Sequence, residues 1–359
     1  MSSSQYAIAV MPGDGVGVEI IEMARRVLDT ACPRHDIELH YRYYEAGAAF
    51  YARTGVGITD DDLEAVGQDD AVLFGAMGLP EVRRPDGTEV APQLDLRERY
   101  RLFASLRPAR MFHGVRRTVT APRADMLVIR ETTEGLFAGR HDAASTDPDS
   151  ESDRMTITRA TSEELFELAF SQAAARRERG GPGRVTLVDK SNVLKSNAFM
   201  RAVFDEVAVR HPDIEARRLY VDAAAMLMVV DPEQFDVAVM ENSFGDILSE
   251  LAAGVAGGLG LAPSADVGRD HAVFQPCHGS APTLVGKNLV NPIGMILSAA
   301  MMLDWLGQRR DDAGARSAAR SIDDAAAATL ANGIGTPDVG GSAGTDEVTA
   351  AIVKELAQQ

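Results

Sequence analysis

Cysteine is scarce in this chain: Cys32 and Cys277 are the only two in 359 residues, too few for a disulfide framework. Basic charge is in deficit, with 36 Lys and Arg against 53 Asp and Glu and a net charge of −17. That balance offers no positive field to a polyanion, so neither nucleic acid nor an anionic membrane surface is an expected partner. Long apolar runs are missing too. The longest, around Ile293 to Leu303, is roughly half of what a membrane span needs and reads as a core helix. The opening MSSSQYAIAV has neither the charged nor the apolar region of a secretory signal, and the expected location is cytoplasmic. No repeat is visible at periods of tens of residues. What is present is 45% hydrophobic residues, ample for a buried core, at a length that suggests two domains.

Short β-branched runs alternate with amphipathic ones. Gln5 to Met11 reads as a strand running into Pro12-Gly-Asp-Gly-Val-Gly17 and a helix from about Val18 to Ala31. Asp70 to Phe74, Asp125 to Ile129 and Val185 to Val188 read as further strands, and a helix opens at Thr59. Thr161-Ser-Glu-Glu164 has the spacing of a capping box, and Gly180-Gly-Pro-Gly183 is placed to end the helix that follows it. Strands separated by helices predict an α/β fold with a largely parallel sheet, in which loops at strand ends carry the chemistry. The polar segment Arg140 to Arg154 reads either as an arm reaching a partner subunit or as a surface loop, and the Ala-rich stretch Ala313 to Ala331 as a surface helix.

Gly13, Gly15 and Gly17 follow a strand, but G-x-G-x-G lacks the spacing that brings a backbone up to a dinucleotide pyrophosphate, and a tight turn alone accounts for them. Asp246 and Glu250 are four apart and share a face if a helix begins nearby. Such hard oxygen donors suit Mg²⁺ or Mn²⁺, with Asp222 as a third, although a solvated helix face has the same pattern. Arg97, Arg107 and Arg130 each sit beside apolar residues, where a guanidinium pairs with a structural carboxylate such as Asp95 or Glu131 or with a polyacid substrate. Lys190 follows the strand ending at Asp189, where desolvation can make an ammonium give up its proton; a salt-bridging lysine fits as well. His278-Gly-Ser-Ala-Pro282 with Asn291-Pro292 is a small-residue loop able to approach a ligand closely, or simply a turn.

Taken in order, these motifs resemble the β-decarboxylating dehydrogenases, the family of isopropylmalate, isocitrate, homoisocitrate, tartrate and D-malate dehydrogenases. The resemblance rests on Pro12 to Glu19, Leu106-Arg-Pro108, Val188-Asp-Lys-Ser-Asn192, Tyr220-Val-Asp222, Phe244 to Ser249, His278 to Pro282, Ile296 to Met302 and Gly340 to Thr345. It spans nearly the whole chain and looks most like the isopropylmalate branch. It implies a non-Rossmann fold of two α/β domains, with 1–102 and 256–359 forming a discontinuous large domain and 103–255 a smaller central one. It implies a homodimer with active sites shared between subunits. By the same resemblance, Arg97, Arg107 and Arg130 would hold the malate carboxylates. Asp246 and Glu250, with Asp222 of the other subunit, would hold Mg²⁺ or Mn²⁺. Lys190 would be the general base and Asp222 its catalytic companion. Asn192 would meet the nicotinamide, and His278, Gly279, Ser280 and Ala281 with Asn291 would cradle the adenosine.

The chain departs from the family at several of these places. The catalytic tyrosine, which protonates the enol after decarboxylation, is Phe137, with His141 a nearby substitute. The second metal aspartate is Glu250. The glutamate before the Pro-x-His-Gly loop is Gln275, which removes a charge beside the nicotinamide. The aspartate that takes the adenosine ribose in NAD-using members is Thr283, and with no cation there for a 2′-phosphate the expected cofactor is NAD, NADP being the alternative. Four residues before Arg97, where isopropylmalate enzymes place leucine, stands Gln93, whose amide calls for a polar or extended 3-substituent. The function expected is metal- and NAD-dependent oxidative decarboxylation of a 3-substituted malate. The alternatives are oxidation of a tartrate-, D-malate- or isocitrate-like acid that stops at the ketone, and a non-catalytic regulatory subunit.

Overall fold

The structure is a computed structural model that describes residues 3–142, 147 and 149–358. The chain begins with β1 (Ser4–Gly13), α1 (Gly17–Ala31), β2 (Ile37–Tyr43), α2 (Ala48–Thr54), α3 (Asp60–Val66), β3 (Ala71–Ala76) and α4 (Pro92–Arg99). It continues with β4 (Ala104–Arg110), β5 (Asp125–Glu131), α5 (Arg159–Glu178), β6 (Arg184–Asp189), α6 (Lys195–Ala208), β7 (Glu215–Tyr220), α7 (Val221–Val230), β8 (Val237–Met240) and α8 (Asn242–Ala256). It ends with β9 (Pro263–Val267), β10 (Ala272–Pro276), α9 (Ile293–Arg309), α10 (Ala313–Ala331) and α11 (Thr345–Gln358).

These elements form two compact units, the first Met1–Tyr100 with Phe112–Arg117 and Gly257–Gln359, the second Arg101–Met111 with Thr118–Ala256. Phe112–Arg117, placed by the sequence in the middle part, clusters with the first unit because Arg116 N–H donates to Val339 O at 3.0 Å and Gly114 lies against the Leu330 carbonyl.

In the first unit the strands run β2-β1-β3-β10-β9. All pairs are parallel except β10 with β9. In the second they run β4-β5-β8-β6-β7, parallel except β4 with β5. β3 and β8 are buried along their whole length, as continuous apolar runs in a sheet covered on both faces should be, and β9 is equally buried although it carries Ser264 and Asp266. α9 is the core helix that its apolar run predicts, with Ile293 to Ala300 all buried. α10 is less of a surface helix than its alanines suggest: Ala315, Ala318, Ile322, Ala325 and Leu330 are buried along one stripe, and it packs on α9.

The capping box does not form at Thr161. The helix starts earlier, with Thr158 as the cap whose Oγ1 accepts from Thr161 N–H at 3.4 Å, because Glu134 takes the Thr158 N–H at 2.7 Å and its hydroxyl at 2.5 Å and so fixes the chain there. The Gly180 turn does end α5, with Gly180 N–H on Arg177 O. The segment from Arg140 to Arg154 falls partly outside the described residues, which lack 143–146 and 148, as does the His141 side chain.

Candidate active site

In the second unit, β4, β5 and α8 bring two arginines to one carboxylate. Arg130 lies near the end of β5 and is 5% exposed. Its Nε and Nη2 donate to Asn242 Oδ1 at 3.0 and 2.8 Å, and Nη1 donates to Asp246. Arg107, on β4, donates from Nη1 to Ser249 Oγ at 2.9 Å and stands 3.6 Å from the same Asp246 oxygen. Gly245 makes the approach possible, since a Cβ there would come within 2.6 Å of the Arg130 side chain. Glu241 caps α8 by accepting Ser243 and Phe244 N–H at 2.9 and 2.8 Å, and burial raises its carboxyl above the usual range. Asp246 and Glu250 are a turn apart on this helix, as their spacing predicts. Phe137 is 41% exposed, and the Arg130 guanidinium lies over its ring at 5.4 Å.

Lys190 leaves the end of β6 on a tight turn held from several sides. Val193 and Leu194 N–H donate to Lys190 O, and Lys190 N–H donates to the buried Asn197 Oδ1 at 2.8 Å. The preceding Asp189 is clamped by Arg201 through two bonds of 2.7 and 2.9 Å. The ammonium is not desolvated alone, as its position after a buried strand suggests. It donates to Asp222 Oδ1 at 2.5 Å, and that bond holds the Asp222 carboxyl below the usual range. Asp222 opens α7 and is largely exposed, and Asn192 is exposed in the turn after Lys190.

In the first unit, Gln93 and Arg97 lie one turn apart on α4, and Arg97 pairs with Asp266 of β9 rather than with Asp95. Gln93 Oε1 is buried and meets no hydrogen-bond donor. The glycine turn after β1 does more than turn: Val16 N–H donates to Ser280 O at 2.8 Å, and a Cβ on Gly15 would collide with that carbonyl. Ser280 Oγ donates to Gly78 O, so the loop from His278 to Ala281 is seated on the turn. His278 Nδ1 contacts Gly279 O at 3.0 Å, its Nε2 is buried with no partner, and burial pushes its pKa down. The Asn291 side chain is already committed, accepting Ile293 N–H at 3.1 Å and donating to Asp338 at 3.1 Å. Thr283 is exposed.

The family described as isocitrate/isopropylmalate dehydrogenase matches residues 7–352 of this chain. The chain belongs to that family. It is 41% identical over 350 residues to the 3-isopropylmalate dehydrogenase of Methanothermobacter thermautotrophicus, covering 97% of this chain and 98% of that one. It is 37% identical to the 3-isopropylmalate/3-methylmalate dehydrogenase of Methanocaldococcus jannaschii, over 99% and 100% of the two chains. Among solved structures, an isocitrate dehydrogenase from Methylococcus capsulatus matches with a TM-score of 0.85 at 33% identity over 98% and 99% of the chains. A β-decarboxylating dehydrogenase from Thermococcus kodakarensis matches with 0.80 at 36% identity over 98% and 96%.

As a dehydrogenase of this family, the protein acts on a CH–OH carbon. Its residues divide into three groups: Arg107 and Arg130 around Asp246, Lys190 with Asp222, and Gln93 and Arg97 on α4. Among the described residues, no three His, Cys, Asp or Glu side chains of one chain stand where they could share a metal ion. Asn242, Asn197 and Asp266 support candidate site residues from outside the quoted motifs, whereas Asp189 and Ser249 lie inside them without having been singled out as supports. The only advance signal was physical, the need of a buried guanidinium or ammonium for a partner. No helix among the described residues is long and apolar enough to cross a membrane.

Proposed function

We propose that the protein oxidises and decarboxylates a 3-substituted malate, with NAD as hydride acceptor and Mg²⁺ or Mn²⁺ as its divalent ion, in a homodimer with shared sites. The observation that carries the reading is the convergence of the buried Arg107 and Arg130 on Asp246. Two fixed guanidiniums suit the carboxylates of a hydroxy diacid, and Asp246 and Glu250 offer hard oxygens to a divalent ion beside them. The residues of this chain fit both groups. The metal donors are carboxylates of the right hardness, and the unpartnered His278 Nε2 in the seated loop fits a nucleotide contact.

A divalent ion held by Asp246, Glu250 and Asp222 would supply Lewis-acid polarisation of the hydroxyl, and NAD held at the His278 loop would supply the hydride acceptor. Lys190 Nζ, held by Asp222, serves as the base once its ammonium has passed a proton to Asp222 or to solvent, and the neutral amine then takes the proton of the 2-hydroxyl. Arg107 and Arg130 hold the carboxylates and orient the carbon–carbon bond that breaks. Phe137 has no proton to return to the enol, so that step falls to another donor. Thr283 supplies no cation for a 2′-phosphate, which favours NAD over NADP. Cys32 and Cys277 are not joined in a disulfide, and the location proposed is the cytoplasm.

The second copy is supported by two features of the second unit. α7 and α8 pack together and leave Met226, Val230 and Ile247 at least 56% exposed. Asp222, needed as the third metal donor, opens that same α7. Because Lys190 is bonded to Asp222, the two reach a neighbouring site together.

Gln93 narrows the substrate. A buried carbonyl oxygen without a donor costs about 1–3 kcal/mol, and a hydroxyl-bearing 3-substituent, as in tartrate, satisfies it where an isopropyl group does not. In kcat/KM for tartrate against 3-isopropylmalate, Gln93→Leu should shift the preference toward 3-isopropylmalate by roughly 10- to 100-fold. An unchanged ratio removes Gln93 from the substituent pocket.

A further inference from the structure

Arg97 is 6% exposed, and a guanidinium does not lose its proton, so its charge needs a buried counter-charge. That counter-charge is Asp266. Arg97 Nε donates to Asp266 Oδ2 at 2.8 Å, with the two side chains 7% and 1% exposed. Gln275 Nε2 donates to the same oxygen at 2.9 Å. The strand register explains this second bond: β9 and β10 are antiparallel with Asp266 opposite Val273 and Ser264 opposite Gln275, so Asp266 and Gln275 are diagonal neighbours within reach of a long side chain.

Two consequences follow from this arrangement. With Nε occupied, Arg97 can turn only by breaking a buried ion pair, and the outer edge of its fork, Nη1 and Nη2, hydrogen-bonds no described residue. That edge is the one a carboxylate engages in bidentate fashion. Gln275, for its part, is best neutral. A glutamate at this half-buried position would set a second carboxylate about 3 Å from the buried Asp266, and like charges so close oppose each other's ionisation.

We infer that Asp266 is the positioning residue of Arg97, and that Asp266 and Gln275 form a matched pair in which the carboxylate stands on β9 and the amide on β10. The negative charge that the family resemblance places at position 275 is relocated one strand over, where it aims Arg97 at the substrate. The inference rests on the proposed reading that Arg97 holds a substrate carboxylate.

The test is steady-state kinetics of the full-length enzyme with Mn²⁺, NAD and 3-isopropylmalate or tartrate, whichever the wild type turns over better. Asp266→Asn should raise KM for the hydroxy acid about tenfold or more while leaving KM for NAD within about twofold. Because Asp266 acts through Arg97, Arg97→Lys/Asp266→Asn should be no worse than Arg97→Lys alone. Asp266→Asn/Gln275→Glu returns a carboxylate to the strand pair and should recover part of the lost affinity; it also carries the test if Asp266→Asn alone does not fold. The inference is overturned if Asp266→Asn leaves KM for the hydroxy acid near wild type. It is equally overturned if both KM values rise alike, if the losses with Arg97→Lys add, or if the charge relocation recovers nothing. A hydroxy-acid KM unchanged by Arg97→Lys strikes the underlying reading of Arg97 instead.

Discussion

Phe137 stands where the family resemblance places a catalytic tyrosine. Its ring is 41% exposed and carries the Arg130 guanidinium at 5.4 Å. A hydroxyl added to a residue this exposed should cost little. Phe137→Tyr should therefore fold as well as the wild type and speed formation of the 2-oxo acid by roughly tenfold or more if enol protonation limits turnover. An unchanged kcat would mean that another acid already serves. At this scale the sequence is informative about residues that carry motifs and silent about those that hold them. Arg107, Arg130, Lys190 and Asp246 stand out by their local context, whereas Asn242 meets Arg130 from 112 positions away and Asp266 meets Arg97 from 169. Partners that distant become visible only once strands are paired.

Among the elements, Glu131 at the end of β5, read from the sequence as a structural partner for an arginine, is a buried acid bonded instead to the turn that follows it. Glu131 accepts Thr133 N–H and Oγ1–H, both at 2.6 Å, and Glu134 N–H at 2.9 Å. Burial outweighs those bonds and pushes its carboxyl from the usual 4.5 to about 7. The folded chain thus keeps a proton that the unfolded chain releases, and stability falls as pH rises from about 4.5 through about 7, by an amount on the order of a few kcal/mol. Glu131→Gln keeps the acceptor and removes the titration. Urea unfolding of this variant between pH 5 and 8 should show a flatter pH dependence than the wild type, and an identical slope would assign the titration elsewhere. The strands at Asp125 and Val185 were legible because buried β-branched runs admit few other readings. The start of α5 was not, since the cap at Thr158 is chosen by Glu134, 24 residues upstream. The stripe on α10 was hidden for a similar reason, because alanine suits a surface helix and a tight helix–helix contact equally well.

For the whole molecule, family membership and the α/β fold were legible end to end because the motifs recur in order along the chain. The proposed assembly, in which Asp222 and Asp246 of one site come from different chains, is open to a direct test. If Lys190 and Asp222 serve the neighbouring subunit's Asp246, Lys190→Ala and Asp246→Asn, each inactive as a homodimer, should complement when co-expressed. A mixed dimer has one site with both lesions and one with neither, so random assembly restores about a quarter of wild-type activity. No recovery in isolated mixed dimers would place each site within a single chain. The central claim, oxidative decarboxylation of a 3-substituted malate, is tested most directly by stoichiometry. The purified protein with Mn²⁺ and NAD is given 3-isopropylmalate, 3-methylmalate and tartrate in turn, and reduced nicotinamide and released carbon dioxide are followed together. The account predicts one carbon dioxide for each reduced nicotinamide with at least one of these acids; reduced nicotinamide without carbon dioxide, or neither product with any of them, would contradict it.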